Sequence, residues 1–345
     1  MYKYWIKFFF IFSFFIGFTF IAFNYICDPY GIFNNNWKGN SIRNHMASGR
    51  ISKTYYSKRV MPQTALIGSS RVGMINVKDI EVYTKQKAYN LAMSGSSLYE
   101  QSMYAKFAIE SLHVKQIIWG IDFFAFNPEA KQHFSFSAKR LENSLYYQDY
   151  QDGLLSMNAF IASIKTLYDS LFLKPFSTIN LDTGVETYSE SKENLKKQGL
   201  AFIDSKIASG LKGYSSEKVL FNSEWFKNPN SIVDKFLLIE NILDLAKKYD
   251  VKIIFYISPT YYEHLNLIYS LGLGNTYEFF KLRLSELTSY WDFNTLNSIT
   301  TNKNHYWDNS HMREEIGTLL MKKMFEPNTS IEPLDFGVFI KLKQE

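Results

Sequence analysis

Near the C-terminus of this chain, Asp308-Asn-Ser-His311 puts a carboxylate three residues before an imidazole. At that spacing the acid can hold one ring nitrogen, fixing the tautomer and stabilising an imidazolium, while the other nitrogen acts as general base toward a hydroxyl. The same carboxylate could instead cap a following helix, leaving His311 on the surface. Far upstream, Leu66-Ile-Gly68-Ser69-Ser70-Arg71-Val72 follows an apolar run. A serine beside a glycine at a strand-to-loop junction can expose its hydroxyl at a sheet edge, with backbone N–H groups free for an oxyanion. Gly-Ser turns are also common without that role. Two more polar loops share the pattern: in Asn90-Leu-Ala-Met-Ser94-Gly95-Ser96-Ser97 a glycine N–H could approach a bound anion, and Gly120-Ile-Asp122 ends an apolar run in a carboxylate. Four such loops in order are much harder to obtain by chance than any one.

The elements that must position them are short apolar runs alternating with helical patterns. Thr64-Ala-Leu-Ile-Gly, Ala88-Tyr-Asn-Leu-Ala, Gln116-Ile-Ile-Trp-Gly-Ile, Val251-Lys-Ile-Ile-Phe-Tyr-Ile and Tyr290-Trp-Asp-Phe read as five buried strands. Helices are predicted over Leu98–Ser111, Ser231–Lys248, Tyr277–Thr288 and His311–Lys323. Such alternation predicts an α/β fold with a parallel sheet covered on both faces, and ligands in such sheets bind at the carboxyl ends of the strands. The interval between the third and fourth strands is too long for a crossover. Phe134–Asn230, polar and rich in Tyr, Phe and Lys, reads as a largely helical insertion over the active edge, placed at about 130–230.

Nine of the 30 Phe fall between Phe8 and Phe23, and that concentration singles out the N-terminus. Phe8 to Ile26 carries no charge, and its 19 residues would make a helix of about 28 Å, close to a hydrocarbon core. We read residues 1–27 as a short stub plus a transmembrane anchor. A cleaved signal peptide is the alternative, since Lys3 and Lys7 form a basic start, but no small-residue cleavage site follows. Ile26 before Cys27 also speaks against a lipoprotein signal. Lys3 and Lys7 on one side nearly balance Lys38 and Arg43 on the other, so the positive-inside rule sets the orientation only weakly. Residues 28–60 read as a juxtamembrane segment, with a turn at Asp28-Pro-Tyr-Gly and a polar loop over Asn34–Asn40, and residues 61–345 as the main domain.

Composition narrows the function. The net charge of +5 is dispersed, with no Lys/Arg run longer than a pair, which excludes a nucleic-acid footprint. Cys27 is the only cysteine, so no intrachain disulfide forms. His305, Asp308 and His311 lie in one local stretch without a second His or Cys cluster, a poor metal site. His45, His113, His133 and His264 lack acidic or serine context. Trp119 and Trp291 fall in strands and read as core, whereas Tyr261 and Tyr262, after the fourth strand, read as cleft-lining. Without residues 1–27 the chain has only three more basic than acidic residues, so any grip on a glycan would rest on rings and hydroxyls.

In the order of these blocks the chain resembles the SGNH/GDSL hydrolase superfamily, in particular its membrane-anchored bacterial branch linked to acyl transfer on cell-envelope polysaccharides. The resemblance spans roughly Asp28 to Lys323. It implies a three-layer α/β/α sandwich with a parallel five-stranded, flavodoxin-like sheet. Ser70 matches the nucleophile of the first block, Gly95 the oxyanion glycine of the second, Gly120-Ile-Asp122 the third, and Asp308 with His311 the last. The implied reaction is acyl transfer or ester hydrolysis without metal or organic cofactor. The implied substrate is an acylated small molecule or an envelope glycan, with a polytopic membrane acyl-donor protein as a possible partner. The implied location is the inner (cytoplasmic) membrane, single-pass, with the main domain extracytoplasmic.

Two positions depart from the family pattern. Ser69 replaces an aspartate that does no proton transfer. Asp122 stands where an asparagine amide would donate to the oxyanion, and an ionised carboxylate has no proton to donate. Losing one such donor is worth about 3–4 kcal/mol of transition-state stabilisation. We expect Arg71 to neutralise Asp122, leaving Gly95 and the Ser70 backbone as oxyanion donors. Asp122 also keeps open a rival of another class: a catalytically weak or inactive glycan-binding or assembly protein on the same fold.

Overall fold

The computed structural model describes residues 2–35, 42–142, 146–172, 177–216, 223–327 and 329–343. The polar loop expected over Asn34–Asn40 therefore lies mostly outside the described residues, as do Lys38 and the side chains of Arg43 and His45. Helix α1 (Tyr2–Cys27) is followed by β1 (Ile42–Asn44) and α2 (His45–Val60). Then come β2 (Thr64–Ile67), α3 (Ser70–Gly73), α4 (Val77–Thr84), β3 (Ala88–Asn90), α5 (Leu98–Glu110) and β4 (Gln116–Ile121). The long interval holds α6 (Ala138–Leu141), α7 (Tyr147–Leu155), α8 (Met157–Phe172), β5 (Ser177–Asn180), β6 (Glu186–Tyr188), α9 (Ser189–Gln198) and α10 (Leu200–Tyr214). The chain closes with α11 (Val233–Tyr249), β7 (Lys252–Ile257), α12 (Tyr262–Ser270), α13 (Gly274–Leu287), β8 (Tyr290–Asp292), α14 (Glu314–Phe325) and β9 (Val338–Ile340).

Apolar runs with no polar face can be buried only between two layers, and the five expected strands do this. Ala65 and Ile67 point into one core while Leu66 points into the other, and Ile117 and Trp119 oppose Ile118 in the same way. The order is β3-β2-β4-β7-β8-β9, parallel throughout except for β9, which runs antiparallel to β8. The sheet thus has six strands where five were expected, because β9 is only three residues long and half exposed, without the buried run that marks the others. The strand order reverses between β2 and β4, and ligands bind at such a switch point. Trp119 is fully buried, whereas Trp291 is half-buried on the β9 side, its ring 5.2 Å from that of Phe339.

The insertion is less uniformly helical than its composition suggests. Its hairpin β5–β6 pairs with β1 in a separate three-stranded antiparallel sheet. Residues 28–60 and the insertion are therefore knit together. Strands of three or four residues leave too little sequence for a period of two to be legible. The Asp28-Pro-Tyr-Gly turn is tight: the buried Asp28 carboxylate accepts from the N–H groups of Ile32 at 2.8 Å, Phe33 at 3.1 Å and Asn35 at 3.2 Å. Helix α1 is long and apolar enough to cross a membrane. Its last turns pack on α7 and α8, with Asn24 donating to the Leu154 carbonyl at 2.9 Å and accepting from Ser163 at 3.0 Å.

Candidate active site

The chain leaves β2 through Gly68, whose φ of +153° suits glycine alone. A Cβ there would lie 2.4 Å from Val72 Cγ2 and 2.7 Å from the Gly120 carbonyl oxygen, so the two neighbouring strand ends can meet only at a glycine. The turn separates the paired serines. Ser69 is buried, caps α3 by accepting from the Arg71 N–H at 3.3 Å, and donates its hydroxyl to Asp122. Ser70, one residue on, is half-buried, and its Oγ lies 2.8 Å from His311 Nε2.

His311 belongs to a loop, not to the helix expected to start there, since α14 begins at Glu314. Trp307 donates to the His311 carbonyl at 2.8 Å, and Tyr306 bridges to Met312. Inside this loop Asp308 Oδ1 accepts from the N–H groups of Ser310 at 2.7 Å and His311 at 2.9 Å, while Oδ2 meets His311 Nδ1 at 2.7 Å. The carboxylate is thus both a turn former and the partner of the imidazole. Burial alone would raise the Asp308 carboxyl, but His311 and the two N–H groups outweigh it and hold the group well below its ordinary range. Burial would likewise lower His311, and Asp308 more than reverses this and raises it. Ser70, His311 and Asp308 thereby form one hydrogen-bonded line. His305 turns elsewhere, its Nε2 3.3 Å from Asn302 Nδ2.

The loop after β3 folds over the Gly68–Ser70 turn. Met93 N–H and Ser96 Oγ both donate to the Gly68 carbonyl, at 3.0 and 3.2 Å. The Asn90 amide donates to the carbonyls of Val72, Gly73 and Ile75, tying this loop to the end of α3. Gly95 sits exposed at the tip with φ +64°. Among the described residues neither its N–H nor that of Ser70 donates to protein.

Asp122, at the end of β4, is ion-paired with Arg71 at 3.0 Å, both buried. Arg71 also stands over the Phe124 ring at 5.4 Å and places Nη2 3.1 Å from His264 Nε2. Burial first, and then the Arg71 charge, push His264 well below its ordinary value, so it is neutral. Arginine can only donate, so Nε2 accepts and Nδ1 carries the proton. Asn309, whose amide lies 2.8 Å from Nδ1, must then turn its oxygen that way, the two ends of an amide being isosteric. Asp122, Arg71, His264 and Asn309 form a buried chain from the end of β4 to the Asp308–His311 loop. His264 gave no signal in the sequence because its partners are 193 and 45 residues away.

The remaining contributors also come from distant segments. Tyr188, on β6, places its ring 6.1 Å from that of His311, and Tyr214, on α10, packs edge-on against His264 at 4.6 Å. Gly210 lets the Asn309 amide lie against α10, where a Cβ would be 1.9 Å from the end of the amide that faces away from His264. Tyr261, expected to line the cleft, is buried behind the loop and donates its N–H to the Asn309 carbonyl at 3.1 Å. Beneath the Gly95 loop, α2 supplies two buried cations. Lys53 donates to the Ala92 carbonyl at 2.5 Å and pairs with Glu186 at 3.1 Å, and Arg50 donates to the Ser94 carbonyl at 3.0 Å and pairs with Glu100 at 2.8 Å. Glu186 also accepts from Ser94 Oγ at 3.2 Å.

No known protein family matches the chain, and no curated protein matches its sequence.

Proposed function

We propose that this protein is a serine-dependent acyltransferase or esterase with a three-layer, flavodoxin-like SGNH fold. The reading rests on one observation: a half-exposed serine, a histidine 241 residues away and an aspartate three residues from that histidine share one hydrogen-bonded line at the switch point of the sheet. Ser70 Oγ forms a bond to the acyl carbon as His311 Nε2 takes its proton. Asp308 keeps the other ring proton on Nδ1 and stabilises the imidazolium. The N–H groups of Ser70 and Gly95 receive the oxyanion. The tetrahedral species then expels the alkoxide, which regains the proton from His311, and water or an acceptor hydroxyl releases the acyl group by the reverse sequence. An O-acetylated envelope or surface glycan, or a smaller acylated molecule, is the substrate class, with a polytopic membrane protein as acyl donor when the direction is transfer.

The anchor is retained in this reading. Asn24 is fully buried against α7 and α8, so α1 is integrated in the fold as a cleavable leader is not. The main domain then stands on the extracytoplasmic face of the inner membrane.

Asp122 favours the rival, a glycan-binding or assembly protein without turnover, because it leaves two backbone donors where the family has an additional amide. Its charge, however, is met by Arg71 and Ser69 and does not face the oxyanion bare. A serine-directed phosphonate probe on the full-length protein separates the readings. Labelling that disappears in Ser70→Ala, with hydrolysis of small acetyl esters, is expected. Absence of both would leave the binding protein.

A further inference from the structure

We propose that α8 lies flat on the outer leaflet of the membrane beside α1 and is a second lipid contact of the protein. The inference rests on the reading of α1 as a retained anchor.

Met157, Ile161, Ile164, Tyr168 and Leu171 are spaced four, three, four and three, so they fall within about 100° of one helix face. All five are exposed, each about half or more. The opposite face is small and covered: Ala159 and Ala162 pack on the cluster of Tyr30 and Ile32, and Ser163 bonds Asn24. Between the two faces lies Phe160, stacked on Phe20 at 5.0 Å and tilted against Phe23 at 5.4 Å, both on α1. Asn158, Lys165 and Asp169 occupy the flank away from α1. Viewed down α8, the domain, the anchor, the apolar stripe and a polar flank therefore occupy four successive quadrants. A helix at a membrane surface, with a transmembrane helix passing beside it, requires that arrangement.

The depth agrees. Residues 2–19 of α1 are exposed throughout, and protein first covers the helix at Phe20. The uncharged stretch Phe8 to Ile26 spans about 28 Å, against about 30 Å for a hydrocarbon core, and Phe20 and Phe23 lie about 9 and 5 Å from its outer end. The residues of α1 that touch α8 thus stand just inside the outer hydrocarbon boundary, within the roughly 5–10 Å to which an amphipathic helix buries its apolar face. The apolar stripe continues the lipid-facing surface of α1, so the occupant is lipid.

The test uses the full chain with Cys27→Ser, reconstituted in phosphatidylethanolamine–phosphatidylglycerol vesicles. Single cysteines at Phe12, Asn158, Ile161, Tyr168 and Asp169 carry a nitroxide, read by collision with oxygen, which partitions into lipid, or with a polar nickel chelate. At Phe12, Ile161 and Tyr168 oxygen should dominate several-fold, and at Asn158 and Asp169 the preference should reverse. If Phe12 reports lipid while Ile161 and Tyr168 behave like Asn158, the surface helix is wrong and the anchor stands. Shielding of Ile161 and Tyr168 from both reagents would mean that protein covers the stripe, which also overturns the proposal. Water at Phe12 would remove the anchor and this inference together.

Discussion

His311 sits between two partners with opposite demands: Ser70 needs an unprotonated Nε2, and Asp308 stabilises the ring when it is charged. Asp308 wins over burial and raises the imidazole above the ordinary value of about 6.5. The base form exists only above that raised value, so activity should fall as pH drops through a limb lying above about 6.5. His264, held neutral by burial and Arg71, cannot supply this limb. In Asp308→Asn the raising influence disappears, so the limb should move to lower pH and kcat should fall about 10⁴-fold through loss of the correct tautomer. A limb that stays in place in a pH–rate profile of that variant would assign the titration to another group. At the neighbouring position, Asp122→Asn leaves the buried Arg71 guanidinium without its counter-charge. We expect a stability loss of about 3–5 kcal/mol in denaturant unfolding, with activity falling as in Ser70→Ala. Unchanged or higher esterase activity would show that the ion pair is not part of the working site.

Helix α2 shows how buried polar side chains can shape the candidate site. Its sequence, Gly49-Arg-Ile-Ser-Lys-Thr-Tyr-Tyr-Ser-Lys-Arg59, is rich in cations and hydroxyls, yet Arg50, Ser52, Lys53 and Thr54 are buried. The two cations hold the Ala92 and Ser94 carbonyls on either side of Met93, and so set the height of Gly95. Lys53→Met strands the buried Glu186 carboxylate and should cost about 3–5 kcal/mol. If the loop is displaced, kcat should drop toward the 10²–10³-fold loss typical of one missing oxyanion donor. Adding Glu186→Gln removes the stranded charge, so the double variant should regain most of the stability but not kcat. Recovery of both in a double-mutant cycle would make the pair a matter of folding only. This contrast also explains what was legible. The five parallel strands announce themselves because burial on both faces demands unbroken apolar runs, and Asp308-x-x-His311 because its geometry is local. The buried charges of α2, the hairpin β5–β6 and His264 were not legible: their partners lie far away in the chain, and a buried ion pair leaves no hydrophobic period.

At the scale of the molecule, the apolar interior among the described residues is in three parts: one core on each face of the sheet, and a satellite around Tyr30, Ile32 and Ala159 under α1. Helix α2 touches both the satellite and the sheet. Ile51 and Tyr55 pack into the satellite, Tyr56 into a sheet core, and Lys53 reaches the Gly95 loop. Helix α1 and the candidate site are therefore connected through one helix, while the satellite itself is small. Cooperative units follow such divisions, and the smaller unit opens first. Asn24→Leu probes the boundary, because it leaves the Leu154 carbonyl and the Ser163 hydroxyl without their partner in a buried setting, at a cost of about 1–3 kcal/mol. The full-length protein in bilayers should then show faster amide hydrogen exchange in 147–172, while exchange in β2, β4 and β7 and the rate of phosphonate labelling at Ser70 stay unchanged. If exchange in those strands rose in step with that in α7 and α8, the satellite and the sheet would be one cooperative unit. A disturbance at α1 would then be felt at Ser70.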